Sequence, residues 1–62
     1  MPIIQVTLIE GRSKEMKKAL VRKLTDAAEE AIHAPRQSIR VILNEVPPEH
    51  FGVAGITKDE PT

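Results

Sequence analysis

Three residues of this 62-residue chain could do chemistry together: Pro2, Arg12 and Arg40. Pro2 follows the initiator Met1, which is expected to be trimmed before so small a residue. A proline inside a chain has no N–H and no basic nitrogen. At a free terminus its nitrogen becomes a secondary amine that can take up and return a proton, the work of a general base and acid. Arg12 and Arg40 each offer a planar fork of donors suited to a carboxylate. Arg12, at a turn where an exposed charge needs no special reason, reads by itself more readily as a solvated surface cation. Arg40 stands between Ile39 and Val41 and in line with Ile42, where a charge needs a partner, with Glu10 or Glu45 available, or an opening to a cavity. Phe51 is the single aromatic residue, suited to plugging a core or walling a pocket.

Other chemistries find little to use. There is no cysteine, and the two histidines, His33 and His50, show no metal-ligand spacing, so neither a metal nor a disulfide framework is expected. His33 suits the negative end of a helix, and His50 reads as an exposed side chain. No glycine-rich loop resembles a nucleotide site, and Ser13 lacks the pattern of a hydrolase nucleophile. No cofactor is expected. Nine basic and nine acidic side chains cancel, and stacking aromatics are absent, which argues against nucleic acid as a partner. No apolar run approaches the ~20 residues that span a bilayer, and no basic segment precedes an apolar signal core. The expected location is the cytoplasm.

The elements that must carry these residues are legible in the pattern. Residues 3–9 are apolar and β-branched and predict a strand covered on both faces. Glu10-Gly11-Arg12 ends it. Ser13 can cap a helix, with Glu15 in the first turn, and the helix runs to about Ile32. Met16, Leu20, Leu24, Ala27 and Ala31 make its packing stripe, flanked by Ala19, Val21, Ala28 and Ile32. Its basic residues come early and its acidic ones late, against the dipole, with Arg22 and Asp26 spaced as an ion pair. Antiparallel pairing of two such helices would set opposite charges together. Ala34-Pro35 stops the helix.

A second strand follows over 38–45, with Ile39, Val41 and Leu43 on one face and Ser38, Arg40, Ile42 and Asn44 on the other. Strand, helix and strand make a βαβ unit with parallel strands and an α/β (α+β) class. Residues 50–56 suit a short C-terminal hairpin, and 58–62 a polar tail that frays. One domain, residues 1–62, accounts for the whole pattern. So short a chain buries only about 60% of its unfolded surface, and without disulfides or a metal the remaining supplement is oligomerisation.

The segments Pro2-Ile3-Ile4-Gln5-Val6, Leu8-Ile9-Glu10-Gly11-Arg12-Ser13, Ala34-Pro35, Ser38-Ile39-Arg40-Val41-Ile42 and His50-Phe51-Gly52-Val53 together resemble the short 4-oxalocrotonate (2-hydroxymuconate) tautomerases, in one register over about the first 55 residues. The resemblance implies a β-α-β protomer whose dimers form four-stranded sheets and whose three dimers form a hexamer. It implies Pro2 as general base and acid, Arg12 on the distal carboxylate of a dienol diacid, and Arg40, from a neighbouring subunit, on the 2-oxygen and adjacent carboxylate. Phe51 and Ile9 fall among the substrate-binding residues, Phe51 as an apolar wall.

The implied reaction is cofactor-independent keto-enol tautomerisation of 2-hydroxymuconate-type dienols in the breakdown of aromatic compounds. Alternatives are a phenylpyruvate-type tautomerase, a hydratase or dehalogenase relative, and a non-catalytic subunit of a mixed hexamer. Ala54 stands where the family often has glycine, and Gly52 and Val53 stand where the hydrating relatives have an acid.

Overall fold

The computed structural model describes residues 1–60. Strand β1 covers Ile3–Ile9, helix α1 Lys14–Ile32 and strand β2 Arg40–Val46; β3 (Gly52–Val53) and β4 (Ile56–Thr57) follow. Single turns of 3-10 helix occupy Arg36–Ser38 and Pro48–His50. β1 and β2 pair in parallel, in a register running from Ile3 opposite Arg40 to Ile9 opposite Val46, while β3 and β4 pair antiparallel. This is the expected β-α-β unit with its C-terminal hairpin.

Helix α1 starts where its cap predicts. The Ser13 hydroxyl accepts from the Met16 N–H at 3.1 Å, and Glu15 lies in the first turn. The helix ends one residue before His33, which was expected inside the last turn. His33 is left-handed, with φ 55° and ψ 32°, and its N–H closes on the Glu29 carbonyl at 3.0 Å. Pro35 prevents any continuation.

The packing stripe is rotated from the expected one. Lys17, Leu20, Val21, Leu24, Thr25 and Ala28 are half-buried, whereas Met16, Ala27, Ala31 and Ile32 are exposed. Spacings of three and four admit both stripes through Leu20 and Leu24; the observed one lets the Lys17 stem cover the sheet while its ammonium reaches Glu45 at 2.9 Å. The expected Arg22–Asp26 pair is replaced, since Asp26 binds Arg36 at 2.8 Å.

β2 begins two residues later than the pattern suggests. Both the Ser38 N–H and its hydroxyl donate to the Pro35 carbonyl, at 2.9 and 2.8 Å, and wind 36–38 into a turn instead of a strand. Within the sheet the alternation holds. Ile4, Val6, Val41 and Leu43 are half-buried on the helix side, whereas Ile3, Gln5, Thr7, Arg40, Ile42 and Asn44 are exposed on the other. The expectation that β1 is covered on both faces therefore fails within one chain, because α1 covers a single side.

Only Ile39 falls in the buried class among the described residues, at 8% exposure, while Ile3 and Ile42 remain 58% and 44% exposed. The first residues of the expected tail bond back to the preceding turn and hairpin. The Lys58 N–H donates to the carbonyls of Pro48 and Phe51, at 3.2 and 2.9 Å, and the Glu60 N–H to Thr57 at 3.1 Å. The rest of the expected tail, residues 61 and 62, lies outside the described residues. No helix among the described residues is long and apolar enough to cross a membrane.

Two substitutions test the helix ends in opposite directions. Ser13→Ala should lower the unfolding free energy by about 1 kcal/mol through loss of the cap. His33→Gly should raise it by up to about 1 kcal/mol by relieving the left-handed backbone. Denaturant titration at one fixed chain concentration measures both.

Candidate active site

The β1–β2 register decides which candidates can meet. The Arg40 N–H donates to the Pro2 carbonyl at 3.0 Å, extending the parallel ladder by one rung and bringing the two backbones side by side. The Arg40 side chain leaves on the face of Ile3, and its Nη1 turns back to donate to the Gln37 carbonyl. It forms no ion pair with Glu10 or Glu45, the partners its strand position suggested. Being exposed, it needs none. One donor spent on Gln37 orients the fork and leaves the other N–H groups of the guanidinium for an anion.

Arg12 sits at the other end of β1. Its Nη1 donates to the Ile9 carbonyl at 2.9 Å, so Ile9 and Arg12 form a unit. The turn that delivers Arg12 depends on Gly11, whose φ of 129° is a conformation side chains rarely adopt, although nothing lies within 4 Å of where a Cβ would stand. Phe51 is half-buried beyond the end of β2, its N–H on the Pro48 carbonyl at 3.1 Å and its carbonyl receiving the Lys58 N–H at 2.9 Å. The β3–β4 hairpin beside it turns through Ala54 and Gly55, with φ of 54° and 84°, the two left-handed residues of a I′-type turn.

The candidates thus fall into two groups. Pro2 and the start of β2 lie at one end of the sheet, and Ile9 with Arg12 lies at the other. Seven extended residues separate them, roughly 20 Å at ~3.3 Å per residue. A six-carbon diacid cannot bridge that distance, so Pro2 and Arg12 of one chain cannot hold one such molecule.

A groove of about 530 Å³ lies elsewhere, between α1 and β2, floored by Val21, Thr25 and Leu43 and rimmed by Lys14, Lys18 and Arg22. It contains none of the candidates. Neither histidine enters either group: His33 terminates α1, and His50 is exposed in the second 3-10 turn. Among the described residues no group of three His, Cys, Asp or Glu side chains could hold a metal ion.

Sequence reasoning passed over Arg36. Its Nη1 lies 2.8 Å from Asp26 and 3.0 Å from Glu29, pinning the 36–38 turn to the last part of α1. The hydrogen bond to Asp26, reinforced by the charge of Asp26 and by Glu29, raises the Arg36 pKa above its ordinary value. The spacings of seven and ten residues across a left-handed break have no periodic signature, so nothing in the pattern flagged it.

Known proteins share the sequence and the fold of this chain. Residues 2–59 match the family model described as "Tautomerase enzyme". The chain is 60% identical over 58 residues to the probable tautomerase RSp0893 of Ralstonia nicotianae, covering 94% of this chain and 83% of that protein. It is 45% identical over 60 residues to a 2-hydroxymuconate tautomerase of Comamonas testosteroni, covering 97% and 95%. Among solved structures, a chain of a heterohexamer 4-oxalocrotonate tautomerase from Chloroflexus aurantiacus superposes with a TM-score of 0.93 at 43% identity, covering 97% of both chains.

The turn at Gly11 generates a direct test. Gly11→Ala should cost about 1–3 kcal/mol of stability through backbone strain alone, there being open space for the methyl group. Thermal unfolding at matched concentration measures it.

Proposed function

Because this chain belongs to the tautomerase family, and is an isomerase, we propose that it converts 2-hydroxymuconate-type dienols to conjugated 2-oxo diacids without a cofactor, in the breakdown of aromatic compounds. Removal of Met1, which is 81% exposed and so open to processing, frees the Pro2 amine. The amine takes the proton of the 2-hydroxyl, and negative charge collects on the oxygen of the resulting dienolate. The ammonium then gives a proton to carbon at the far end of the diene, which leaves the remaining double bond conjugated with the new carbonyl. The proton balance closes on one group, whose pKa must lie near the working pH. Guanidinium charge and an apolar wall, brought to the amine in the assembly, would both disfavour the ammonium.

Arg40 holds the 2-oxygen and the adjacent carboxylate, stabilising charge as it develops. Arg12 holds the distal carboxylate. The observation that carries this assignment is the placement of the two guanidinium groups, one turned back on Gln37 and one held at Ile9. Arg12 stands at the far end of β1 from the chain's own Pro2, so on this reading the site is completed by other copies, in a hexamer built from dimers. The exposed sheet face with Ile3 and Ile42, and a protomer with so little buried, support that assembly.

Hydration is the weaker reading. It needs a carboxylate free to activate water, and Glu45 is engaged by Lys17 at 2.9 Å on the helix side of the sheet. Gly52 and Val53 offer no acid in β3.

Three kinetic outcomes follow, with dienol absorbance as the readout. Pro2→Ala should lose about 100-fold or more in kcat, the range of a general base, with assembly intact. Arg12→Ala should lose about 10–100-fold in kcat/KM on a diacid, the value of a charge-assisted hydrogen bond, and much less on a monoacid such as phenylenolpyruvate. Equal losses on both would remove Arg12 from the distal carboxylate. The weakened Pro2→Ala and Arg12→Ala chains, unfolded together and reassembled, should turn over the diacid faster than either alone, since some sites then combine an intact Pro2 with an intact Arg12. No gain would place the whole site in one chain, and a chain with Pro2 free but no turnover would point to a non-catalytic subunit of a mixed hexamer.

A further inference from the structure

Arg40 is exposed and flexible by type, yet a guanidinium that must meet a small substrate has to be held within a fraction of an ångström. Its one observed side-chain bond, from Nη1 to the Gln37 carbonyl, carries that task. Gln37 is the middle residue of the Arg36–Ser38 turn, so the direction of its carbonyl follows the orientation of the turn. The turn is closed locally by the Ser38 N–H and hydroxyl on the Pro35 carbonyl and by the Ile39 N–H on the Arg36 carbonyl at 3.2 Å. Those bonds fix its shape, and the buried Ile39 ties its far end to β2; what remains is a link to the helix. The Arg36 side chain supplies that link, bridging Asp26 at 2.8 Å and Glu29 at 3.0 Å on α1.

An exposed ion pair alone contributes little to stability, with a median of about 0–1 kcal/mol. Two carboxylates on one guanidinium instead restrict the direction of the segment that carries it. We propose that Arg36 is a positioning residue for the reaction, orienting the 36–38 turn through Asp26 and Glu29 so that the Gln37 carbonyl presents the Arg40 guanidinium to substrate. The inference rests on the reading of Arg40 as the arginine that holds the substrate. It adds a connection that runs from the helix to the site, through a residue that touches neither substrate nor Arg40's side chain.

A double-mutant cycle on kcat/KM for 2-hydroxymuconate tests it, using full chains checked for helix content and assembly size. Arg36→Gln should lower kcat/KM about tenfold in the wild-type background, by misplacing Arg40 rather than removing it. In the Arg40→Ala background the same change should have almost no effect, because the group it positions is gone. Arg36→Lys, which keeps a cation between the carboxylates, should recover part of the loss. Equal losses in both backgrounds, or no loss in either, would overturn the positioning role.

If Arg36→Gln does not assemble, the same cycle is run with Glu29→Gln, which leaves Asp26 on Arg36; coupling to Arg40 upholds the role and additivity removes it. If Arg40→Ala itself retains full activity, the assignment of Arg40 to the substrate falls, and the positioning role falls with it. An impaired Arg40→Ala with additive Arg36→Gln sinks the positioning role alone.

Discussion

The parallel pairing of β1 with β2 over seven residues constrains everything else in this molecule. It fixes Pro2 beside the first residue of β2 and sends Ile9 and Arg12 to the far end of the same sheet. A parallel pair needs a crossover, so the nineteen-residue helix α1 is required by the same bond pattern. It can cover only one face. The uncovered face, with Ile3 and Ile42 open, is the consequence, and so is the separation of the groups that the proposed reaction needs.

Size and chemistry therefore place the same demand on the chain. Sixty-two residues with one buried side chain among those described make a small core, and Arg12 lies too far from Pro2 of the same chain for the two to share a six-carbon substrate. Association of copies would answer both. On that account stability and activity depend on the same contacts, and substitutions on the exposed sheet face should be felt in turnover as well as in folding. The absence of cysteine leaves association as the remaining route to a larger core.

Much of the fold was legible because its signals are local. The β-branched run from Ile3, the Ser13 cap and the Pro35 break each act within a turn of where they stand, and the elements formed there. The rotation of the α1 stripe was not legible, since Leu20 and Leu24 belong to both possible faces and only the sheet chooses between them. The late start of β2 depends on Ser38 bonding back to Pro35, which competes with the extended pattern that Ile39, Val41 and Leu43 suggest. Of the candidate site residues, Pro2, Arg12 and Arg40 could be picked out by type and by resemblance. Arg36 could not, because its link to Asp26 and Glu29 crosses a chain reversal made by a left-handed His33, and tertiary contacts of that kind leave no periodic trace.

In the proposed reaction it is the Pro2 amine that moves the proton. Intact mass and 2-hydroxymuconate ketonisation measured on the same purified sample test it most directly. A chain working through this amine should show a mass lacking Met1 together with rapid ketonisation. Full activity in a chain that retains Met1, whose Pro2 nitrogen is then an amide, would contradict it.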